Sequence, residues 1–226
     1  METIRKRFAL ALVAIVPAAA VAQAQPFSAD VVTTMVGEKA AEMQQYLKNA
    51  KKFLPPGTDT SGATTYRMYV SGMKMRLDMG AGEQKTSMLT DMGPGGKSYM
   101  VSHASKTYME FDRKNARRHG QNVDLARYLR SGGDLCALNS DDGQPVECHK
   151  LGAKVIGGRP CQEYEVVPEQ GRKQTLCMDA KLHFPLRVES ESAVSEMKNV
   201  AEGPQPDSLF VLPEGYTERE FGAMSR

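Results

Sequence analysis

The sequence predicts a mainly β fold of the α+β class, an antiparallel sheet with one or two helices. Three observations carry this. Between Tyr66 and Phe111, apolar and polar residues alternate with a period of two, interrupted by short Gly-rich turns. Between Leu151 and Glu189, three further alternating segments follow one another, with Cys161 and Cys177 on the first two. Only one long stretch, Val36 to Leu54, has a helical period instead.

The chain opens with a basic Arg5-Lys6-Arg7, an apolar run from Phe8 to Val16, and small residues ending Ala22-Gln23-Ala24. This order reads as an export leader, residues 1–24, cleaved after Ala24. The run is too short to span a bilayer, which takes about 20 apolar residues. No cysteine stands near the cleavage site to accept a lipid, so a soluble periplasmic product is expected. The leader holds three of the 29 basic residues and one of the 27 acidic, so the remainder is formally neutral. Neutrality argues against nucleic acid as the main partner. No later apolar run suggests a transmembrane span. A single β domain over residues 25–226 is expected.

The elements follow in order. Phe27 to Met35 is rich in β-branched residues and reads as a first strand. Val36, Ala40, Met43, Leu47, Ala50 and Leu54 then recur at steps of three and four, with Glu, Gln and Lys between them. This predicts an amphipathic helix inserted at about 38–54 and stopped by Pro55-Pro56-Gly57. Its apolar stripe packs on the sheet, covers a ligand as a lid, or lies on a membrane surface. Five strands joined by turns come next: Tyr66–Val70, Met73–Met79, Met88–Met92, Tyr99–His103 and Thr107–Phe111. They read as an antiparallel meander whose apolar side carries Met68, Met73, Met75, Leu77, Met79, Met88, Tyr99, Val101, Met109 and Phe111.

Several motifs in this region carry little chemistry. Gly93-Pro94-Gly95-Gly96-Lys97-Ser98 ends like a phosphate-binding loop, but position 91 is Asp and a strand follows, so it reads as a hairpin turn. Met73, Met75, Met79, Met88 and Met92 could offer soft thioethers to Cu(I), although their place on the apolar side fits core packing. Arg113, Lys114, Arg117, Arg118 and His119 form a basic run before a short helix with Asn122 as cap and Leu125, Tyr128 and Leu129 on one face. Asp134, Asp141, Asp142 and Glu147 do not match a calcium loop. His103, His119, His149 and His183 are scattered, no G-x-S-x-G elbow occurs, and no nucleophile–base pair can be named. No enzyme activity, cofactor or metal is expected.

The four cysteines, at 136, 148, 161 and 177, fit two disulfides in an exported protein. Their spacing has no C-x-x-C, which disfavours zinc and thioredoxin-like chemistry. Placing Cys161 opposite Cys177 sets a register: Glu165 faces Lys173, Glu163 faces Thr175, Tyr164 faces Gln174, and Gln162 faces Leu176. Tyr164, Val166, Leu176 and Met178 then share one face, away from the charges. The remaining pair, Cys136–Cys148, closes a polar loop. Leu182, Phe184, Leu186 and Val188 alternate in the next strand, where Pro185 indicates an edge or a strand start. Ser195–Ala201 forms one more strand. Pro206 to Tyr216 reads as a turn that plugs Leu209, Phe210 and Leu212 into the core.

In its order of parts the chain resembles the periplasmic lipoprotein-carrier (LolA/LolB-like) superfamily, and stands nearer to that group's small exported relatives of unknown function. The pieces that carry the likeness are FSADV, GMKMRLDM, SMLTDM, KSYMV with KTYMEF, LGAKVIGGRPCQEYEVV, TLCMD with FPLRVE, and SLFVLPEGY, spread over residues 26–216. The resemblance implies a curved, incomplete antiparallel β-barrel of roughly ten strands, with helices covering its open side. In carrier members the concave apolar interior holds acyl chains. This chain departs from them in its lack of tryptophan, its two disulfides and its inserted helix. The expected function is a non-enzymatic envelope protein that binds a lipid or lipoprotein acyl chain. Lining residues would include Met43 and Leu47 from the helix, the ten meander residues named above, and Tyr164, Val166, Leu176, Phe184 and Leu186. The alternatives are a structural or sensory protein with a filled core and an envelope partner, or a Met-rich Cu(I) binder.

Overall fold

The period-two segments become strands because their β-branched, aromatic and Met side chains can alternate between a covered and an open face. The computed structural model describes residues 24–50, 61–93, 95–111, 134–137, 147–167 and 173–219. The basic run from Arg113 with its helix, and the acids Asp141 and Asp142, lie outside these residues, as do residues 1–23 of the expected leader.

Strand β1 is Ala24–Met35 and is followed by helix α1, Gly37–Ala50. A meander comes next: β2 Ala63–Gly72, β3 Lys74–Met79, β4 Thr86–Asp91, β5 Ser98–Ser102 and β6 Thr107–Phe111. The second half holds β7 Glu147–Ile156, β8 Arg159–Val167, β9 Gln174–Asp179, β10 Phe184–Ser190 and β11 Ala193–Glu202. A short β12, Thr217–Glu218, ends the described chain. All belong to one 12-stranded sheet in the order β12-β6-β5-β4-β3-β2-β1-β11-β10-β9-β8-β7. The sheet is curved and does not close into a barrel. β1 is its centre, bonded to β2 on one side and β11 on the other. Every pairing is antiparallel except β12 with β6.

The fold departs from the sequence reading in four places. Cys161 faces Asp179 and Cys177 faces Glu163, so the β8–β9 register is displaced by two residues from the one that sets the cysteines opposite. A disulfide can run diagonally across neighbouring strands, and a shift of two leaves every side chain on its expected face. Two strands were not anticipated. β7 is joined to β8 by Gly157-Gly158, both at positive φ, the backbone a two-residue hairpin needs. β12 adds a parallel strand to the free edge of β6. Pro185 stands at the start of β10 beside a register shift, the second of the two places its sequence allowed. Leu209, Phe210 and Leu212 are half-buried and lie apart from the main core, because the segment crosses the other face of the sheet.

The main core is built around Phe27 and Ala29 of β1, Met68 and Val70 of β2, Tyr164, Val166, Leu176 and Met178 of β8 and β9, and Phe184 and Leu186 of β10. Phe27 and Phe184 meet edge to face at 5.4 Å. Strands five places apart in the order share this cluster, so the sheet curls around it, and we call this its inner face. Leu135, 2% exposed, joins it from the short turn Leu135–Ala137.

Candidate functional site

Strand register places a row of side chains directly across the inner face of the meander. Ala29 faces Met68, Met68 faces Leu77, Leu77 faces Met88, Met88 faces Met100 and Met100 faces Met109. Beside it runs Phe27–Val70–Met75–Thr90–Ser98–Phe111, and on the other side Val31–Tyr66–Met79–Thr86–Ser102–Thr107. Opposed Cβ atoms in such pairs are about 5 Å apart, so the row is continuous. Burial changes along it. Ala29 and Met68 are closed, whereas Leu77, Met88, Met100 and Met109 are half-buried. Thioether chains with three rotatable bonds can re-pack around whatever touches them, which Phe or Val cannot do.

The expected lining residues divide into three groups. Met68, Tyr164, Val166, Leu176, Phe184 and Leu186 are buried in the core. Met75, Leu77, Met79, Met88, Met109 and Phe111 form the half-buried part of the inner face, with Met73 in the turn before β3. Tyr99 and Val101 are corrections, because they project to the opposite face. Tyr99 faces Leu89 and Val101 faces Ser87, while Met100, which the sequence reading passed over, takes the inner position. Apolar residues stand on both parities of Tyr99-Met100-Val101, so alternation alone cannot choose. The turn chooses: Asp91 N–H donates to Lys97 at 2.9 Å and Thr90 is set opposite Ser98. Gly96 is required there, since a Cβ would lie 2.2 Å from the Asp91 carbonyl oxygen. The sequence resembling a phosphate loop is thus the β4–β5 hairpin.

On α1, Ala40, Met43 and Leu47 are half-buried and Tyr46 is 66% exposed. The helix meets described residues at the end of β1 and at Ser61–Gly62, where Gln44 Nε2 donates to the Ser61 carbonyl at 3.1 Å.

Two polar clusters lie outside the inner face. Arg159 bonds Asp179 at 2.6 Å and Glu202 at 2.8 Å, and Asp179, 2% exposed, also accepts from the N–H groups of Lys181 and Leu182. The Asp179 hydrogen bond, ahead of Glu202, holds the Arg159 pKa above its ordinary value against the effect of burial. Nearby, a shallow hollow of about 420 Å³ is lined by Gln25, Pro26, Lys181, Glu202, Gly203 and Pro204, well supplied with charge and distinct from the Met row. The second cluster contains a serine and a histidine. Ser87 Oγ lies 2.8 Å from His103 Nε2, but its hydroxyl donates to Asp78 at 2.6 Å and it is 1% exposed. A nucleophile must be reachable and have its proton aimed at the base. Here the proton goes to a carboxylate and no substrate can enter, so the pair is a structural network.

Both disulfides form: Cys136–Cys148 and Cys161–Cys177. Among the described residues no cluster of His, Cys, Asp and Glu could hold a metal ion, and no helix is long and apolar enough to cross a membrane.

Neither protein families nor curated proteins match this sequence. Solved structures do. An uncharacterized conserved protein from Thermus thermophilus aligns at TM-score 0.50 and 8% identity, over 88% of this chain and 91% of its own. At that identity the likeness is one of fold. Lower scores relate the chain to MucB of Pseudomonas aeruginosa in its complex with MucA (TM-score 0.43, 12% identity, 84% of this chain and 56% of that one). They also relate it to a domain from Vibrio parahaemolyticus described as outer membrane lipoprotein-sorting (0.31, 12%, 82% and 89%).

Proposed function

We propose that this chain is a non-enzymatic protein of the cell envelope that holds a hydrophobic ligand, a lipid or lipoprotein acyl chain, against the inner face of β3–β6. One observation carries the reading: the row Leu77–Met88–Met100–Met109 is in direct cross-strand register and only half-buried, at the end of a sheet whose core is otherwise closed. A contiguous apolar surface of adaptable side chains suits a flexible chain of methylenes better than a rigid, polar substrate. Two disulfides and the leader-like first residues support an oxidising, exported location. The sequence resemblance to lipoprotein carriers points the same way.

The test is organic extraction of the purified protein with mass spectrometry of the extract, alongside titration with an apolar fluorescent dye. Co-purifying lipid is expected, with dye binding that Met100→Lys removes while the fold is kept. A lipid-free protein that binds no dye overturns the reading. It would favour the alternative of an interaction protein with a filled interior, for which the closed packing of Phe27, Val70 and Leu182, each 0% exposed, is the supporting observation.

A further inference from the structure

The two bridges differ in what can reach them. Cys161 and Cys177 are 4% and 2% exposed and belong to the core cluster. Cys136 is exposed, and Cys148 is half-buried on β7, the last strand of the sheet. The loops they close are alike, with partners 12 and 16 residues apart, so access rather than loop length separates them. Charge around the outer bridge is uneven. The Asp134 carboxylate accepts from the Cys136 N–H at 3.0 Å. Lys150 is exposed two residues beyond Cys148 and on the same face, opposite Tyr164 as Cys148 is opposite Val166. Glu147 and His149 take the other face, 3.6 Å from each other. A cation favours a departing thiolate and a carboxylate opposes one. Cys148 is therefore the better leaving group, and Cys136 is the sulfur open to attack.

The bridge also holds a plug. In the turn Asp134–Ala137 only Leu135 is buried, at 2% exposure, while Asp134, Cys136 and Ala137 are exposed. Leu135 shares the core cluster with Tyr164 and Val166. The turn packs against β7, and its Asp134 charge, after burial, raises the Tyr164 pKa, which sets it beside β8 as well. Ordering four residues of backbone costs more free energy than burying one leucine contributes. The turn therefore needs a tether, and the bond to Cys148 is one.

We propose that Cys136–Cys148 is a thiol–disulfide exchange site for a dithiol reductant, and that this bridge is the latch that keeps Leu135 in the core. A thiolate of the incoming dithiol attacks Cys136 Sγ. The bond to Cys148 breaks, Cys148 leaves as thiolate and takes a proton from water, and a mixed disulfide joins the dithiol to Cys136. The second thiol of the reductant, deprotonated, attacks its partner sulfur in that mixed bond and frees Cys136, which is protonated in turn. The protein gains two electrons and two protons, and the dithiol loses them and becomes a disulfide. Cys161–Cys177 stays closed within the core, so the sheet is kept while Leu135 is released. None of this depends on what the Met row binds.

The exchange site is tested on the full oxidised chain with graded dithiothreitol, acid quenching, alkylation and peptide mass spectrometry. Cys136 and Cys148 are expected to take label about ten-fold faster than Cys161 and Cys177. Equal rates, or earlier opening of Cys161–Cys177, overturn the proposal. With glutathione, a monothiol, the trapped mixed disulfide should sit on Cys136, and trapping on Cys148 overturns the direction of attack. The latch is read separately by hydroxyl-radical footprinting of side chains, in the selectively reduced wild type and in a Cys136→Ser, Cys148→Ser double variant. Labelling of Leu135 is expected to rise several-fold while Phe27 and Phe184 stay closed. Unchanged labelling of Leu135 overturns the latch, as does a rise at all three positions, which would make the bridge a support of the whole fold. Should the double variant fail to fold, the selectively reduced wild type decides by the same two outcomes.

Discussion

The two halves of the sheet use one ladder geometry to different ends. In β1, β2 and β8–β10 the inner face is closed by Phe27, Val70, Tyr164, Leu176 and Leu186, all 4% exposed or less. In β3–β6 the same face carries Leu77, Met88, Met100 and Met109, all half-buried. Alternation and register are equally regular in both. The difference lies in side-chain type and in what lies opposite. Aromatic and branched chains from distant strands, with Met68 and Met178 among them, interlock on one side, whereas on the other Leu77 packs against that cluster and Met88, Met100 and Met109 lie outside it. A period-two pattern therefore marks a covered face without saying whether protein or ligand covers it.

The contrast can be broken from either side. Phe27→Ala, in the closed half, is expected to cost about 3–5 kcal/mol of unfolding free energy by denaturant titration, the usual range for a large buried ring. Met100→Ala should cost far less if its face is open, and an equal loss would show that half to be packed too. Asp179→Ala removes one of the two carboxylates on Arg159, leaving Glu202, and uncaps the turn at Lys181 and Leu182, and a loss of about 1–3 kcal/mol is expected in the same assay. Removing Cys161–Cys177 as a pair of alanines should cost about 2–4 kcal/mol. The Cys136–Cys148 pair should cost no more, since Cys136 is exposed while both members of the other bridge are buried. The smallest stability effect expected is for Met88→Leu or Met100→Leu, under about 1.5 kcal/mol for a volume-conserving exchange. Dye affinity should nonetheless change, because the leucine cannot re-pack as the thioether does.

Much of this architecture was legible in the residues. The strands of the meander, the helix from Gly37, both cysteine pairings and the inward set from Tyr164 to Leu186 follow from period, turn residues and charge. Register was less accessible. Setting Cys161 level with Cys177 was reasonable, yet the sheet resolves the pairing two residues away because a bridge can run diagonally. β7 was hidden because its exposed Leu151 and Val155 break the alternation, and the register shifts between Lys150 and Gly152. The Ile156-Gly157-Gly158-Arg159 turn was the signal that could have revealed it. Met100 was missed for a physical reason: Tyr99, Met100 and Val101 are all apolar, and the long β4–β5 turn sets their parity. His103 Nδ1 lies 2.9 Å from the hydroxyl of Tyr216, 113 residues away, and no local pattern announces such a contact.

The central place of β1 has a consequence for how the chain reaches this state. The meander β2–β6 and the run β7–β10 pair largely between sequence neighbours. β1, in contrast, pairs with β11, and Thr33 bonds Ser195 across 162 residues. Closing so long a loop comes at an entropic cost that local hairpins avoid, and non-local pairing slows folding. Two locally wound sheets should therefore assemble first and wait for β1 to seam them together. In a pulse-labelled refolding experiment the amides of β1 and β11 are expected to be the last to gain protection. Until then each half-sheet presents a long, unpaired edge, the state from which this chain is most exposed to aggregation.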